Sequence, residues 1–474
     1  MNEINQTITR MERRQALKTL GSGLGAMALG SLLADDGAAA LTAHHPARAK
    51  RVIYLFQSGG PSQLDLFDYK PALKRLHGED IFAHVKKQGR LTGFTSGHKI
   101  HPLINTKYAF KQHGASGAWV SELLPHMSAI VDELCTIRSV STLPVNHDPA
   151  MTFMQTGHNL PGRPSIGSWL SYGLGSLNRN LPDFCVLVSR GDLGNMQPLN
   201  ARLWGNGFLP GRYQGVRLRS GLDPVLYLKD PSGKTLSEKR QILDVLNELN
   251  QQELQRSGDP AVETRIAQYE MAFRMQSSIP ELSDLSNEPE STFTLYGEDA
   301  RKPGTYAFNC LMARRLAERD VRFIQLYHSG WDHHFSLPQH LPKRCRETDQ
   351  ASAALILDLK QRGLLGDTIV IWGGEFGRTA FSQNGKVPVD YGRDHHATCF
   401  TKLVAGGGFK AGLNYGETDD FSYRAVRDEV PVHDLHATIL HQLGIDHARL
   451  TWLFQGRRYR LTDVHGHVVR DLLA

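Results

Sequence analysis

The chain has 474 residues, 40% of them hydrophobic and 22% charged, which excludes a disordered chain and leaves room for one large α/β domain with an insertion. A net charge of +6, carried by basic residues scattered along the sequence, argues against nucleic acid as a partner. Five cysteines with no CxxC pair argue against a structural zinc site and a disulfide framework, leaving room for one or two bridges in an oxidising compartment.

Residues 1–43 read as an address. Arg13-Arg14 precedes a weakly apolar, glycine-rich run from Leu17 to Leu33, and small residues follow at Gly37-Ala38-Ala39-Ala40. This is the pattern of a twin-arginine export signal, and it implies delivery to the periplasm or cell envelope. The run is too short and too rich in glycine for a stable transmembrane span.

From residue 44 onward a single α/β domain is expected. Val52 to Gln57 is a continuous apolar run closed by Ser58-Gly59-Gly60-Pro61, the signature of a buried parallel strand. Similar runs recur at Leu134 to Val140, Phe184 to Val188, Val321 to Tyr327, Thr368 to Trp372 and Lys402 to Ala405. Helical periodicity precedes two of them, over Asn309 to Arg319 and Glu347 to Gly363, and a last helix opens at Asp434. Strands alternating with helices predict a mostly parallel central sheet with helices on both faces. Residues from about 190 to 300 break this rhythm and read as an insertion covering the sheet edge or the site.

In such sheets, ligands bind beyond the carboxyl ends of the strands, and the polar clusters of this chain fall there. After the first strand, Ser62 can bind an oxyanion or act as nucleophile, in a Gly-Gly-Pro turn that is otherwise only a turn. After the strand at Leu134, Asn146 and His147 open a helix and can hold a sulfate or phosphate, or simply cap it. After the strand at Val321 come Asp332, His333 and His334, whose density suggests metal ligation. Glu375 follows the strand at Thr368 and suits a metal ligand beside an anion-binding Arg378, or a buried pair with it. Arg393, Asp394, His395 and His396 follow. Adjacent histidines point different ways, so one ligand is expected of the last two, and His395 is chosen.

Several stretches carry a family resemblance: the leader, GGPSQLDLFDYKP (59–71), NHDPA (146–150), PSIGSWLSYGLGS (164–176), GWDHH (330–334), RGLLGDTIVIWGGEFGRTA (362–380) and GRDHHATCFTKLVAGGGFKAG (392–412). The chain resembles the exported bacterial proteins grouped as domain-of-unknown-function family 1501, described as sulfatase-like and similar to the alkaline phosphatase/sulfatase superfamily. The resemblance implies an alkaline phosphatase-like fold, one or two divalent ions (Zn, Ca, Mg or Mn), and Asp332, His334 and His395 as ligands with Glu375 nearby. It also implies a sulfate or phosphate ester as substrate, carried by a small molecule or a glycan. Where the superfamily has an aspartate on strand one, this chain has Gly59-Gly60. Phe376 stands where a histidine is usual, and no Cys-x-Pro-x-Arg stretch for a formylglycine nucleophile occurs.

The expected function is therefore metal-dependent ester hydrolysis. Ser62 is the first choice of nucleophile and water activated at the metal the second. Arg378 or Arg393 would stabilise developing charge, and His147 or His396 would transfer a proton. The alternatives are an inactive envelope protein of the same fold that binds an anionic glycan or a protein partner, and a phosphotransferase.

Overall fold

The computed structural model of the chain describes residues 43–87, 89–189, 197, 199–219 and 235–474. Residues 1–42, on which the export signal is read, lie outside the described residues.

The main sheet is built from β1 (Arg51–Gln57), β2 (Leu134–Ser141), β3 (Phe184–Ser189), β4 (Val216–Arg217), β5 (Phe323–His328), β6 (Thr368–Gly373), β9 (Phe400–Ala405), β10 (Leu413–Tyr415) and β11 (Val430–Pro431). Between β6 and β9, the antiparallel pair β7 (Gly377–Ser382) and β8 (Arg393–His396) rises from the sheet as a hairpin. The strand order is β10-β2-β9-β6-β1-β5-β3-β4, with β11 beside β2. Strand β1 is central, parallel to both β5 and β6. All other pairs in the sheet are parallel except those of β9, which runs antiparallel to β2 and β6. The reversal has a local cause: the β7–β8 hairpin brings the chain back without the crossover helix that a parallel return requires.

Alternation along β1 divides the core. Ile53 and Leu55 face one layer, with Leu311 and Leu316 of α5 (Tyr306–Glu318) and Leu355 and Leu359 of α6 (Leu337–Gln361). Val52, Tyr54 and Phe56 face the other, with Met151 and Met154 of α1 (His147–Thr156), Trp169 and Leu170 of α2 (Ile166–Leu174), and Ile439 and Leu440 of α7 (Val432–Gln442). Because helices cover both faces, successive residues of β1 are buried alike, and the strand reads as an unbroken apolar run. The expected α/β architecture is thus present.

The described part of the 190–300 segment contains a helical hairpin of α3 (Leu236–Ser257) and α4 (Pro260–Ser283), started by a Thr235–Glu238 capping box. Met275, Ile279 and Leu282 of α4 join the core layer of α5. Strand β4 extends the sheet edge, and Gln197 reaches the site described below. All five cysteines are buried and unpaired, so the bridges left open by the sequence do not form. No described helix is long and apolar enough to cross a membrane.

Candidate metal centre

Four side chains from three places in the chain meet beyond the carboxyl end of the sheet. His147 opens α1, Asp332 and His334 follow β5, and His395 lies on β8. One donor atom from each lies within 4.8 Å of all the others, the single such group among the described residues. Asp332 Oδ1 is the hub: His334 Nε2 stands 3.0 Å away, His147 Nε2 3.1 Å and His395 Nε2 3.5 Å.

The outer nitrogen of each imidazole is held by an acceptor. His147 Nδ1 donates to Glu375 Oε1 at 2.5 Å, His395 Nδ1 to the Val145 carbonyl at 2.6 Å, and His334 Nδ1 to Gln383 Oε1. With Nδ1 carrying the proton, the Nε2 lone pair of each ring is turned inward. The buried Nε2 atoms of His147 and His395 have no hydrogen-bond partner. A buried acceptor lone pair left unmatched is costly, and two such nitrogens, converging with His334 Nε2 on a carboxylate, suit a cation that accepts all three. Outer nitrogens fixed by a carboxylate, a carbonyl and an amide are the supporting pattern of metal-bound histidines.

Asp332 is locked from behind. Its Oδ1 accepts from Arg378 Nη2 at 2.6 Å and its Oδ2 from Gln197 Nε2 at 2.7 Å. Burial raises the carboxyl's pKa, but Arg378 and the three imidazoles outweigh that and hold it far below the usual carboxylate range. Burial lowers the pKa of His147, but Asp332 and Glu375 more than reverse this and raise it. His395 moves the other way, well down, because burial and the neighbouring Arg378, His147 and His334 outweigh the pull of Asp332.

Residues 49–473 match the model of the family described as "Protein of unknown function (DUF1501)". The chain belongs to the DUF1501 family. A comparison with curated proteins returns no match. Among solved structures, the DUF1501 chain is similar to a TAB5 alkaline phosphatase mutant with magnesium bound, at 12% identity and a TM-score of 0.35, over 84% of this chain and 98% of that one. It is similar to a phosphonate monoester hydrolase from Silicibacter pomeroyi at 13% identity and 0.31, over 90% of this chain and 76% of that one. The lipoteichoic acid synthase LtaP from Listeria monocytogenes gives 9% and 0.29, over 90% and 75%.

The remaining predicted residues of this DUF1501 protein sit outside the group of four. Glu375, expected as a ligand, is fully buried behind His147. Besides the imidazole it accepts the Gly59 amide, at 3.0 and 3.2 Å, and it is not one of the four residues whose donor atoms converge. Below it Lys402 is buried among Tyr54, Phe56 and Phe400 and donates to the Tyr54 hydroxyl at 2.7 Å. Burial lowers the Lys402 pKa to about 7 against the pull of Glu375.

Ser62, expected as nucleophile, is 1% exposed and donates to Asp65 Oδ2 at 2.5 Å. Arg393, expected to meet developing charge, lies in the same buried set: its Nε is 2.8 Å from Asp65 Oδ2, and its other nitrogens donate to the carbonyls of Thr379 and Ile104. Arg378 has its donors engaged by the carbonyls of Gly59, Gly60 and Arg393 as well as by Asp332. It binds the first-strand turn to the cluster instead of presenting a free guanidinium. His396 points to the opposite side of β8 from His395 and meets the Tyr423 carbonyl at 2.8 Å.

Three contributors escaped the sequence reading: Gln383, the Val145 carbonyl and Gln197. None belongs to a residue type with a ligand signature, and a backbone carbonyl has no sequence signal at all. For Glu375 the role of positioning residue makes a checkable difference. Glu375→Gln should keep the size but lose the charged acceptor for His147, weakening divalent-ion binding about ten- to a hundredfold without abolishing it. Competition with a metal indicator measures this. Complete loss of the ion would return Glu375 to the ligand set.

Proposed function

We propose that this chain is an exported metal-dependent hydrolase of sulfate or phosphate esters, working in the periplasm or cell envelope. The observation that carries the reading is the convergence of His147, Asp332, His334 and His395, each braced from outside. Those four residues would hold one divalent ion. Three imidazoles and one carboxylate favour zinc, or a similar first-row ion, over calcium or magnesium, which prefer oxygen-rich sites. Bound there, such an ion would supply Lewis acidity, polarising an ester oxygen and making water a stronger nucleophile near neutral pH.

The protein's own part is orientation. Arg378 keeps Asp332 ionised and in place, and Glu375, Val145 and Gln383 hold the outer Nδ1 atoms so that the three Nε2 atoms face the inner side. Water is the nucleophile that fits this arrangement, since the Ser62 hydroxyl is buried against Asp65. The same burial, together with the engaged donors of Arg378 and Arg393, favours as a second reading a non-catalytic protein that binds an anionic glycan through the metal.

Metal analysis and turnover separate the readings. The full chain, purified without chelator, should contain about one divalent ion. It should hydrolyse an aryl sulfate or aryl phosphate, lose that activity to a chelator and regain it with zinc or manganese. Bound metal without turnover of either ester supports the binder. A metal-free, stable protein that takes up no added ion refutes both.

A further inference from the structure

Beside the four ligand candidates lies an aromatic ring that the hydrolase reading does not use. Phe94 is 58% exposed, and its ring centroid is 5.0 Å from that of His334, with the planes tilted by 48°. Single exposed aromatics are common on protein surfaces and usually mean nothing. This one differs in how it is held. Thr92 and Thr95, on either side of it, are both buried, and both hydroxyls donate to Asp394 Oδ2, the second at 2.6 Å.

The turn is closed further by the Phe94 amide on Thr92 Oγ1 at 3.2 Å and the Ser96 amide on the Thr92 carbonyl at 3.0 Å. The other oxygen of Asp394 accepts the backbone amide of His395 at 2.8 Å. One buried carboxylate therefore ties the turn bearing Phe94 to the strand bearing His395. The turn that carries the ring is thereby fixed relative to the imidazoles, and the ring leans at a tilt on His334 while staying mostly exposed. Gly93 and Gly97, in the same turn, carry no side chain, and a Cβ at either would meet open space.

We propose that Phe94 is a stacking platform for the alcohol part of the substrate, which makes the preferred substrates esters of ring-bearing alcohols, aryl or sugar. This rests on the hydrolase reading, because the ester's anionic end must sit at the group of four for its ring to reach Phe94. An aromatic face recognises a second aromatic ring by offset or edge contact, and a sugar ring by its apolar C–H face. A short acyclic alcohol offers neither.

The test is equilibrium binding by calorimetry to the full-length protein loaded with zinc. The probes are methylphosphonate and phenylphosphonate, which differ by the ring, with glucose 6-phosphate as the sugar arm. Wild type should bind at least one ring-bearing probe more tightly than methylphosphonate, on the order of five- to tenfold. Phe94→Ala should erase that preference while leaving methylphosphonate affinity and zinc content unchanged. Phe94→Trp should keep it. A preference in the phenyl arm only assigns aryl esters, and in the sugar arm only, sugar esters. A ring preference that survives in Phe94→Ala, or equal binding of all three probes by wild type, overturns the platform and leaves the hydrolase reading standing. Binding of none of the probes by the zinc-loaded wild type overturns both.

Discussion

Asp332→Asn is expected to lose the divalent ion altogether, with affinity falling by more than the roughly hundredfold that separates a ligand from its supporting partner. The substitution preserves size and leaves an amide oxygen, but removes the one negative charge at the centre of three imidazoles. It also removes the ionic partner of Arg378, which is fully buried and donates to Asp332 Oδ1 at 2.6 Å. Carbonyls of Gly59, Gly60 and Arg393 still accept from that guanidinium, so the stability cost should be about 2–3 kcal/mol rather than that of an unpartnered buried charge. Metal content after dialysis reads the first effect and denaturant unfolding the second. His334→Ala separates them. It withdraws one nitrogen from the rim while leaving the Arg378–Asp332 pair intact, so the ion should be lost with little change in stability. A variant of Asp332 that retains full metal content would remove the residue from the centre.

The strands of the sheet were legible because both faces are covered. A strand buried on two sides has no polar alternation, and the run from Val52 to Phe56 could be read without any knowledge of its neighbours. Strand direction was not legible. Lys402 to Ala405 has the same apolar character whether parallel or antiparallel, and its reversal depends on the β7–β8 hairpin, whose buried strands carry Arg378, Arg393, Asp394 and two histidines. Such a polar stretch resembles a loop in sequence. It is a hairpin because its polar groups find partners in one another, the first-strand turn and the loop of Thr92 and Thr95.

At the site, residue type indicated the neighbourhood, and only the backbone decided the role. Asp332, His334 and His395 could be singled out as imidazoles and a carboxylate at strand ends. Whether His147 or Glu375 faces inward depends on which of them the Gly59 amide binds, and it binds Glu375. Anchored by the Gly59 amide, Glu375 accepts from the outer nitrogen of His147, and it is His147 that joins the converging group. Ser62 did carry a readable warning. Ser62 and Asp65 stand three apart at the start of a helical turn, the spacing of a local side-chain contact, and the Ser62 hydroxyl is bonded to Asp65.

Gly59→Ala is expected to be severely destabilising, although residue 59 supplies no side chain to the chemistry. Gly59 has φ +120°, a conformation that residues with a Cβ rarely adopt, at a cost of about 1–3 kcal/mol. A Cβ there would lie 2.5 Å from the Asp332 amide nitrogen and 2.8 Å from the Trp331 carbonyl carbon, so backbone on both sides would have to part. That movement would pull the Gly59 amide from Glu375, release the restraint on His147 and displace Asp332 from its three partners. Gly59 thus permits a close contact between the β1 turn and the β5 turn that a Cβ would force apart. The expected result is a loss of about 4 kcal/mol or more, together with loss of the ion. Gly97→Ala, where a methyl meets open space and the backbone needs no positive φ, is the matched control and should be close to neutral. Equal denaturation midpoints for the two variants would show that β1 and β5 can separate freely, and the bracing assigned to Glu375 and Arg378 would then have no rigid frame to act from.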